Sequence, residues 1–159
     1  MGKRPSKFDR ALEYALAGVE RVRTIDQLPL PVRTVVLVHA AQGMIDNGGL
    51  QYFFESDFPG QPPYSMFVAA YRAIGANDEG QVLADAVKLF PFRNPHRFQA
   101  RREQFLETPL ENEAHRTDSP FEAFTDRLCG NENVWRLLAA YVERHAESFG
   151  RSSTDPLCQ

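Results

Sequence analysis

Apolar residues recur at helical spacing along most of the chain. The first stripe contains five apolar residues, each three or four positions after the last: Phe8, Leu12, Leu16, Val19 and Val22. This spacing predicts an amphipathic helix with one apolar face, and Ser6 is placed to cap its start. Pro29 and Pro31 then interrupt the chain, because proline cannot continue a helix from within.

A second helix is expected over residues 32–46, where apolar residues lie on more than one side. A helix of that kind is typical of the centre of a fold. We expect Asn47, Gly48 and Gly49 to end it, with Asn47 and Gly48 in the left-handed conformation. A short aromatic helix, with the sequence LQYFFES, should begin directly after them.

Further apolar stripes at helical spacing lie at residues 64–74, 82–90, 98–106, 121–128 and 134–149. Asn77 or Asp78 is expected to cap the second of these helices, and Asn131 or Asn133 the last. No alternating pattern typical of a strand competes with this reading. We therefore expect an all-α fold, a single compact domain of about seven or eight helices over residues 1–159. Its core should span about 6–149, followed by a tail at 150–159.

We expect neither a membrane-spanning nor a secreted protein. The longest apolar run, residues 34–41, is far shorter than a membrane span, and the charged N-terminus does not resemble a secretory signal. Cys129 and Cys158 belong to no metal-binding or redox motif. We expect two reduced thiols in a cytoplasmic protein that does not associate with membranes.

Charge is distributed unevenly, although the net charge is only −3. Residues 88–102 contain five bases and no acid, whereas residues 103–126 contain seven acids and one base. Segregated charge can steer partners to a surface. The alternative is that the two blocks neutralise each other or simply solvate helix faces, and the sequence favours that reading over a functional patch.

Catalytic signatures are missing from the sequence. There is no HExxH pair, no GxSxG, no Walker loop and no GxGxxG. Asp46, Glu55 and Asp57 could form a carboxylate cluster, but acids near a helix junction are common. We therefore expect no catalytic residues, no metal and no cofactor.

The stretch DNGGLQYFFESDFPG, residues 46–60, is the most distinctive in the chain. Its glycines allow a sharp elbow between helices, and its aromatic side chains must point to different faces of a short helix. A structural elbow is favoured over a binding pocket, and both readings stay open. The candidate pocket residues are His39, Asn47, Gly48, Gly49, Gln51 and Tyr52.

The same stretch carries a resemblance to a known family. NGGLQYFF, residues 47–54, is similar to the NGG-F-x-Q-(F/Y)-F signature of the DUF4375 family, which includes DNA mimics of the DMP19 type. Three later segments match in order: AYRAIGA at residues 70–76, LADAVKLFP at 83–91 and LLAAYVERHAESF at 137–149. The chain is thus identified as a member of this family over about 32–149.

The resemblance implies a soluble, non-enzymatic interaction protein, since the DNA-mimic member is an all-α dimer whose carboxylates occupy the DNA-binding face of a transcription factor. It implies a basic or DNA-binding protein partner and a homodimer. The sequence pI near 5.8 and the basic block depart from a strongly acidic mimic. The candidate acidic partner surface is Glu103, Glu107, Glu111, Glu113, Asp118 and Glu122.

Two alternatives to the interaction protein remain open. One is a small-molecule-binding domain, and the other an uncharacterised enzyme, each with a pocket at the NGGLQYFF elbow. Direct nucleic-acid binding through residues 88–102 is not expected, because Phe90, Phe92 and Phe98 between the bases suit a core better than a stacking platform.

Overall fold

The computed structural model describes residues 4–108 and 119–150. These residues form seven α-helices and no strand, which confirms the predicted all-α fold. The helices are α1 (Lys7–Val19), α2 (Leu30–Glu55), α3 (Tyr64–Ala73), α4 (Asn77–Val87), α5 (Gln99–Glu107), α6 (Glu122–Leu128) and α7 (Glu132–Arg144). Single 3₁₀ turns occur at Ile25–Gln27, Pro95–Arg97 and Ala146–Phe149. The predicted tail beyond Gly150 lies outside the described residues.

Helix α1 begins at the predicted cap. The Ser6 hydroxyl accepts a hydrogen bond from the Asp9 N–H, and the Asp9 carboxylate accepts one from the Ser6 N–H. This reciprocal pair satisfies two donors that a helix start otherwise leaves without a partner. The buried face differs from the prediction: Ala11 and Ala15 lie at its centre, whereas Leu16 is 42% exposed. The small alanines allow α1 to pack closely against the core. The larger apolar residues of the predicted stripe therefore lie toward the edge of the packed face.

Helix α2 is the central element and spans 26 residues. It was expected to end before Gly49, but helical hydrogen bonding resumes after a kink at which only Gly48 and Gly49 leave helical dihedral angles. The expected left-handed conformation of Asn47 and Gly48 is also wrong. Gly48 has φ −154°, and Gly49 alone of the two takes a positive φ, 69°.

Helices α3 and α4 form a hairpin that packs beside α2. Gly75, with φ 92°, lies in the turn between them. The predicted cap of α4 is wrong, because Ala76 occupies the cap position and no side chain there bonds the helix start. Asn77 instead begins the helix, and Asp78 and Glu79 in its first turn interact favourably with the helix dipole.

Helices α5 to α7 complete the core. Asn131 caps α7 as predicted, accepting a hydrogen bond from the Asn133 N–H at 3.1 Å. Buried side chains from α2, α3, α4, α6 and α7 form one hydrophobic cluster. A contiguous group of aromatic rings lies at its centre, comprising Phe53, Phe54, Tyr64, Phe67, Phe90 and Phe121. Within the two described ranges, no helix is both long and apolar enough to cross a membrane.

Candidate functional site

The elbow in α2 depends on a close approach by α6. Thr125 accepts a hydrogen bond from the Leu50 N–H through its hydroxyl at 3.1 Å, which satisfies a donor freed by the kink. A Cβ placed on Gly49 would lie 2.9 Å from the Thr125 methyl carbon. Gly49 is therefore required both by its positive φ and by the space that Thr125 occupies.

The rings that follow the elbow separate into buried and exposed sides. Phe53 and Phe54 are fully buried, while Tyr52 is 46% exposed. Phe54 packs against Phe90 and Phe121, with ring centroids 5.0 and 4.9 Å apart. Most of the aromatic area of the signature thus belongs to the core.

A polar network lies on the N-terminal side of the elbow, around the Asp46 carboxylate. One carboxylate oxygen accepts hydrogen bonds from the Gln42 amide at 2.7 Å and the Gly130 N–H at 2.8 Å. The other accepts from the Trp135 indole N–H at 2.8 Å. These bonds connect α2 to the α6–α7 turn and to α7. We refer to Gln42, Asp46, Tyr71 and Trp135, with the backbone at Leu128 and Gly130, as the Asp46 network.

Gln42 is a fully buried polar residue at the centre of this network, and the sequence did not predict it. Its amide nitrogen also donates to the Leu128 carbonyl at 2.8 Å, and its amide oxygen accepts from the Tyr71 hydroxyl at 2.8 Å. Burial raises the pKa of Tyr71, so its hydroxyl stays protonated and acts as the donor. The available signal was a glutamine within the apolar part of α2 that precedes the elbow, because a buried amide requires partners of this kind.

The predicted pocket residues lie around the elbow, but most of them are on its surface. The exposed Asn47 donates to the Gly43 carbonyl, and the exposed Gln51 donates to Glu55, so both bonds stay within α2. Tyr52 lies against Gly48, where a Cβ would come within 2.6 Å of the Tyr52 Cβ. A pocket formed by these residues stays a prediction.

His39, the remaining predicted pocket residue, is half-buried beside the Asp46 network. Its ring meets the Trp135 indole edge-on, with centroids 5.7 Å apart. Burial lowers the pKa of His39 below its usual value. The side chain therefore favours the neutral form and packs as part of the helix interface.

A second polar centre lies on the C-terminal side of the elbow. Arg102 is only 1% exposed, and it donates to the Phe54 carbonyl at 2.9 Å and the Pro95 carbonyl at 2.8 Å. A third bond, at 2.5 Å, reaches the Asp57 carboxylate. We refer to these four residues as the Arg102 centre. It fixes α5 and the 3₁₀ turn at Pro95–Arg97 to the end of α2.

The Arg102 centre changes the interpretation of the basic block. Arg102 is unavailable to an external ligand, and Arg101 stacks over the Phe92 ring with its guanidinium carbon 4.2 Å from the centroid. Lys88 pairs with Asp85 at 2.8 Å. Between residues 88–102 and the described acids of 103–126, the structure contains no ion pair.

The predicted acidic surface is described in part. Glu103 and Glu107 lie four residues apart on one face of α5, and Glu122 begins α6. Glu107 and Glu122 are exposed, and Glu103 is partly exposed with a hydrogen bond from Gln99 at 3.0 Å. Glu111, Glu113 and Asp118 lie outside the described residues.

A groove of about 460 Å³ lies between α3 and α4, apart from the predicted sites. Its walls are mainly apolar, and one arginine borders it. The lining residues are Tyr64, Ser65, Val68, Ala69, Arg72, Ala84 and Val87. The apolar stripes at residues 64–74 and 82–90 did not reveal the groove, which opens because Ala69 and Ala84 are too small to fill the space between the helices.

Titratable side chains also meet near Tyr64. Burial raises the pKa of Tyr64 to about 12, and burial, with Arg97 and Arg102 nearby, lowers the pKa of His96. Both rings, whose centroids are 6.3 Å apart, therefore favour their neutral forms at neutral pH. Among the described residues, no group of three His, Cys, Asp or Glu side chains is placed to hold a metal ion.

Comparison with known proteins places the chain in one family. The family model described as DMP19-like protein matches residues 26–145, which is most of the chain. The protein belongs to the DMP19-like family. No curated protein and no solved structure matches it.

Proposed function

We propose that this protein is a non-enzymatic interaction domain that binds a basic or DNA-binding protein through the acidic surface of α5 and α6. One observation carries the proposal. The described acids of residues 103–126, which include Glu107 and Glu122, form no ion pair with any other described residue. Their charge is therefore available to a partner.

Membership of the DMP19-like family supports the same function. Carboxylates on a helical surface can meet the lysines and arginines with which a protein would otherwise hold DNA phosphates. Glu103 and Glu107 present two carboxylates on one face of α5. Two of the five bases at residues 88–102 are already paired with other acids, Lys88 with Asp85 and Arg102 with Asp57.

The test is a pull-down from host lysate at low salt and at about 0.5 M salt, where exposed charge pairs are well screened. Wild type is compared with the triple variant Glu103→Lys, Glu107→Lys and Glu122→Lys. We expect wild type to retain a specific basic protein at low salt and release it at high salt. The triple variant should not retain it.

A matched control changes the net charge by the same amount at other exposed acids: Glu13→Lys, Glu20→Lys and Glu147→Lys. Circular dichroism should confirm that both triple variants stay helical. The control should retain the partner. If both triple variants lost the partner equally, capture would depend on net charge alone. If both retained it equally, the α5–α6 surface would not take part in the interaction. Either result contradicts the proposal.

A further inference from the structure

The groove between α3 and α4 has a size and lining that the acidic surface does not explain. Its volume of about 460 Å³ falls within the range of small-molecule sites. A stable protein partner requires a much larger buried surface than this groove offers. Its occupant should therefore be a small ligand, and the lining determines the chemistry of that ligand.

The geometry points to a small amphiphilic carboxylate, such as a medium-chain fatty acid, as the ligand of this groove. Its carboxylate would meet the Arg72 guanidinium, and its apolar chain would lie between Val68 and Val87. This site is independent of the proposed interaction surface on α5 and α6.

The apolar part of the groove follows from helix geometry. Ser65, Ala69 and Arg72 are four and three residues apart, so they share one face of α3. At a rise of about 1.5 Å per residue, Ser65 to Arg72 span roughly 10 Å. Val68 on α3 and Val87 on α4 line the space between the helices. The result is an elongated apolar surface that suits an alkyl chain.

Arg72 supplies charge complementarity at one end of that surface. One of its guanidinium nitrogens donates to the Gln81 side chain at 3.0 Å, and its stem packs where a Cβ on Gly80 would come within 3.2 Å. Across the described residues, Arg72 forms no ion pair. A guanidinium that is held in place but not neutralised has donors left for a carboxylate.

The test is a titration of ¹⁵N-labelled protein with octanoate, followed by NMR, at concentrations well below micelle formation. Octanol serves as the matched probe without a charge. We expect saturable shifts centred on residues 65–72 and 84–87. Octanoate should bind more tightly than octanol, by about fivefold, as for an exposed charge pair.

Two variants separate the head-group contact from the apolar contact. Arg72→Gln should weaken octanoate binding about fivefold and leave octanol unchanged. Ala69→Leu should fill the groove and weaken both probes by about tenfold or more. Arg93→Gln and Ala100→Leu, at exposed positions outside the groove, should change neither affinity.

Four outcomes would overturn the assignment. The first is the absence of saturable shifts at the groove, and the second is equal binding of octanoate and octanol. The third is a shift of the groove signals when the protein concentration is raised in the absence of octanoate. That result would show that the groove is a contact between two copies of the chain. Reduced binding in the two control variants as well would equally show that the probes bind elsewhere.

Discussion

The elbow divides α2 into two arms, one before it and one after it. These arms are fixed to the rest of the protein by side chains of opposite charge. Before the elbow, the Asp46 carboxylate accepts three hydrogen bonds from neutral donors on Gln42, Gly130 and Trp135. After the elbow, the Arg102 guanidinium donates to two neutral carbonyls and to the carboxylate of Asp57. Both centres connect segments that are distant in the sequence.

The difference between the centres lies in burial. Arg102 is 1% exposed, whereas Asp46 is only partly buried and keeps some contact with water. A buried charge that loses its partners cannot recover its hydration. Removing or isolating such a charge therefore lowers the free energy of unfolding more than the same change near the surface. The comparison also shows that a charged residue in a charged block need not belong to a surface.

The largest effect is expected from Arg102→Met, which removes the side-chain donor of the Phe54 carbonyl, one of two donors of the Pro95 carbonyl and the ion-pair partner of Asp57. Breaking a buried ion pair costs about 3–5 kcal/mol. Because Asp57 keeps 36% of its side chain exposed, the lower end of that range is expected here. Urea denaturation measures the free energy of unfolding.

Arg101→Met is the matched control, since Arg101 is exposed on the same helix and contacts mainly the Phe92 ring. Its loss should cost less than about 1 kcal/mol. If Arg102→Met is too unstable to fold, Arg102→Lys keeps the charge and should give an intermediate loss. Similar stabilities for the variants at 101 and 102 would contradict the role of the Arg102 centre.

The elbow that separates the two arms gives the next largest effect. Gly49→Ala should lower the free energy of unfolding by about 2 kcal/mol, because a side chain at φ 69° is strained and its Cβ meets Thr125. Adding Thr125→Ser removes the opposing methyl group and keeps the hydroxyl, so the double variant should recover part of the loss. Thermal and urea unfolding measure both changes.

Gly43→Ala is the control for this substitution in the same helix. A Cβ there meets nothing within 4 Å, so alanine should stabilise the helix by about 0.5–1 kcal/mol. The free energy of unfolding should therefore increase in Gly43→Ala and decrease in Gly49→Ala. A loss of similar size at both positions would show that α2 is generally intolerant of added volume and that the elbow has no special requirement.

A smaller effect is expected on the other side of the elbow, from Asp46→Asn. The amide group replaces one acceptor oxygen by a donor, so either the Trp135 indole or the pair Gln42 and Gly130 loses its acceptor. The cost should be about 1–2 kcal/mol. Trp135 is the only tryptophan in the chain, so its fluorescence reports directly on this network.

Asp126→Asn provides the control, because Asp126 is exposed on α6. It should change neither the unfolding midpoint nor the indole emission. An unchanged indole signal in Asp46→Asn would show that Trp135 does not depend on this acceptor. The hydrogen bond from Trp135 would then contribute little to the position of α7.

The sequence predicted the helices well, because helical spacing and breaks by glycine and proline are local properties. It misjudged the packed face of α1, since alanines such as Ala15 look weakly apolar in a stripe but allow the closest approach. It also placed the left-handed conformation too early, at Asn47 and Gly48 instead of Gly49, because the contact that selects Gly49 comes from Thr125 on another helix.

The polar centres could not be predicted from local pattern. Gln42 and Leu128 are 86 positions apart, Asp46 and Trp135 are 89 apart, and Arg102 and Phe54 are 48 apart. Such partners are defined only once the helices pack. For the same reason the sequence placed Arg102 in a basic block without indicating that its side chain is buried.

The smallest expected effect concerns pH and the histidine beside the Asp46 network. Burial lowers the pKa of His39 in the folded protein, whereas the unfolded value is near 6.5. Below the unfolded value, the unfolded state binds the proton more readily than the folded state. The contribution of the neutral His39 to the free energy of unfolding is therefore fully present above about pH 6.5. It is lost as the pH falls from there through the folded-state pKa.

His39→Gln removes this titration, so the free energy of unfolding should decrease less between about pH 7.5 and about pH 5.5 than in wild type. His96, whose pKa is also lowered, should supply the remaining dependence in the same direction. The double variant His39→Gln and His96→Gln should therefore be the least sensitive to pH over this interval. A dependence in the double variant as steep as in wild type would show that neither histidine avoids protonation in the folded protein, and hence that the interface of His39 with Trp135 is more hydrated than its burial indicates.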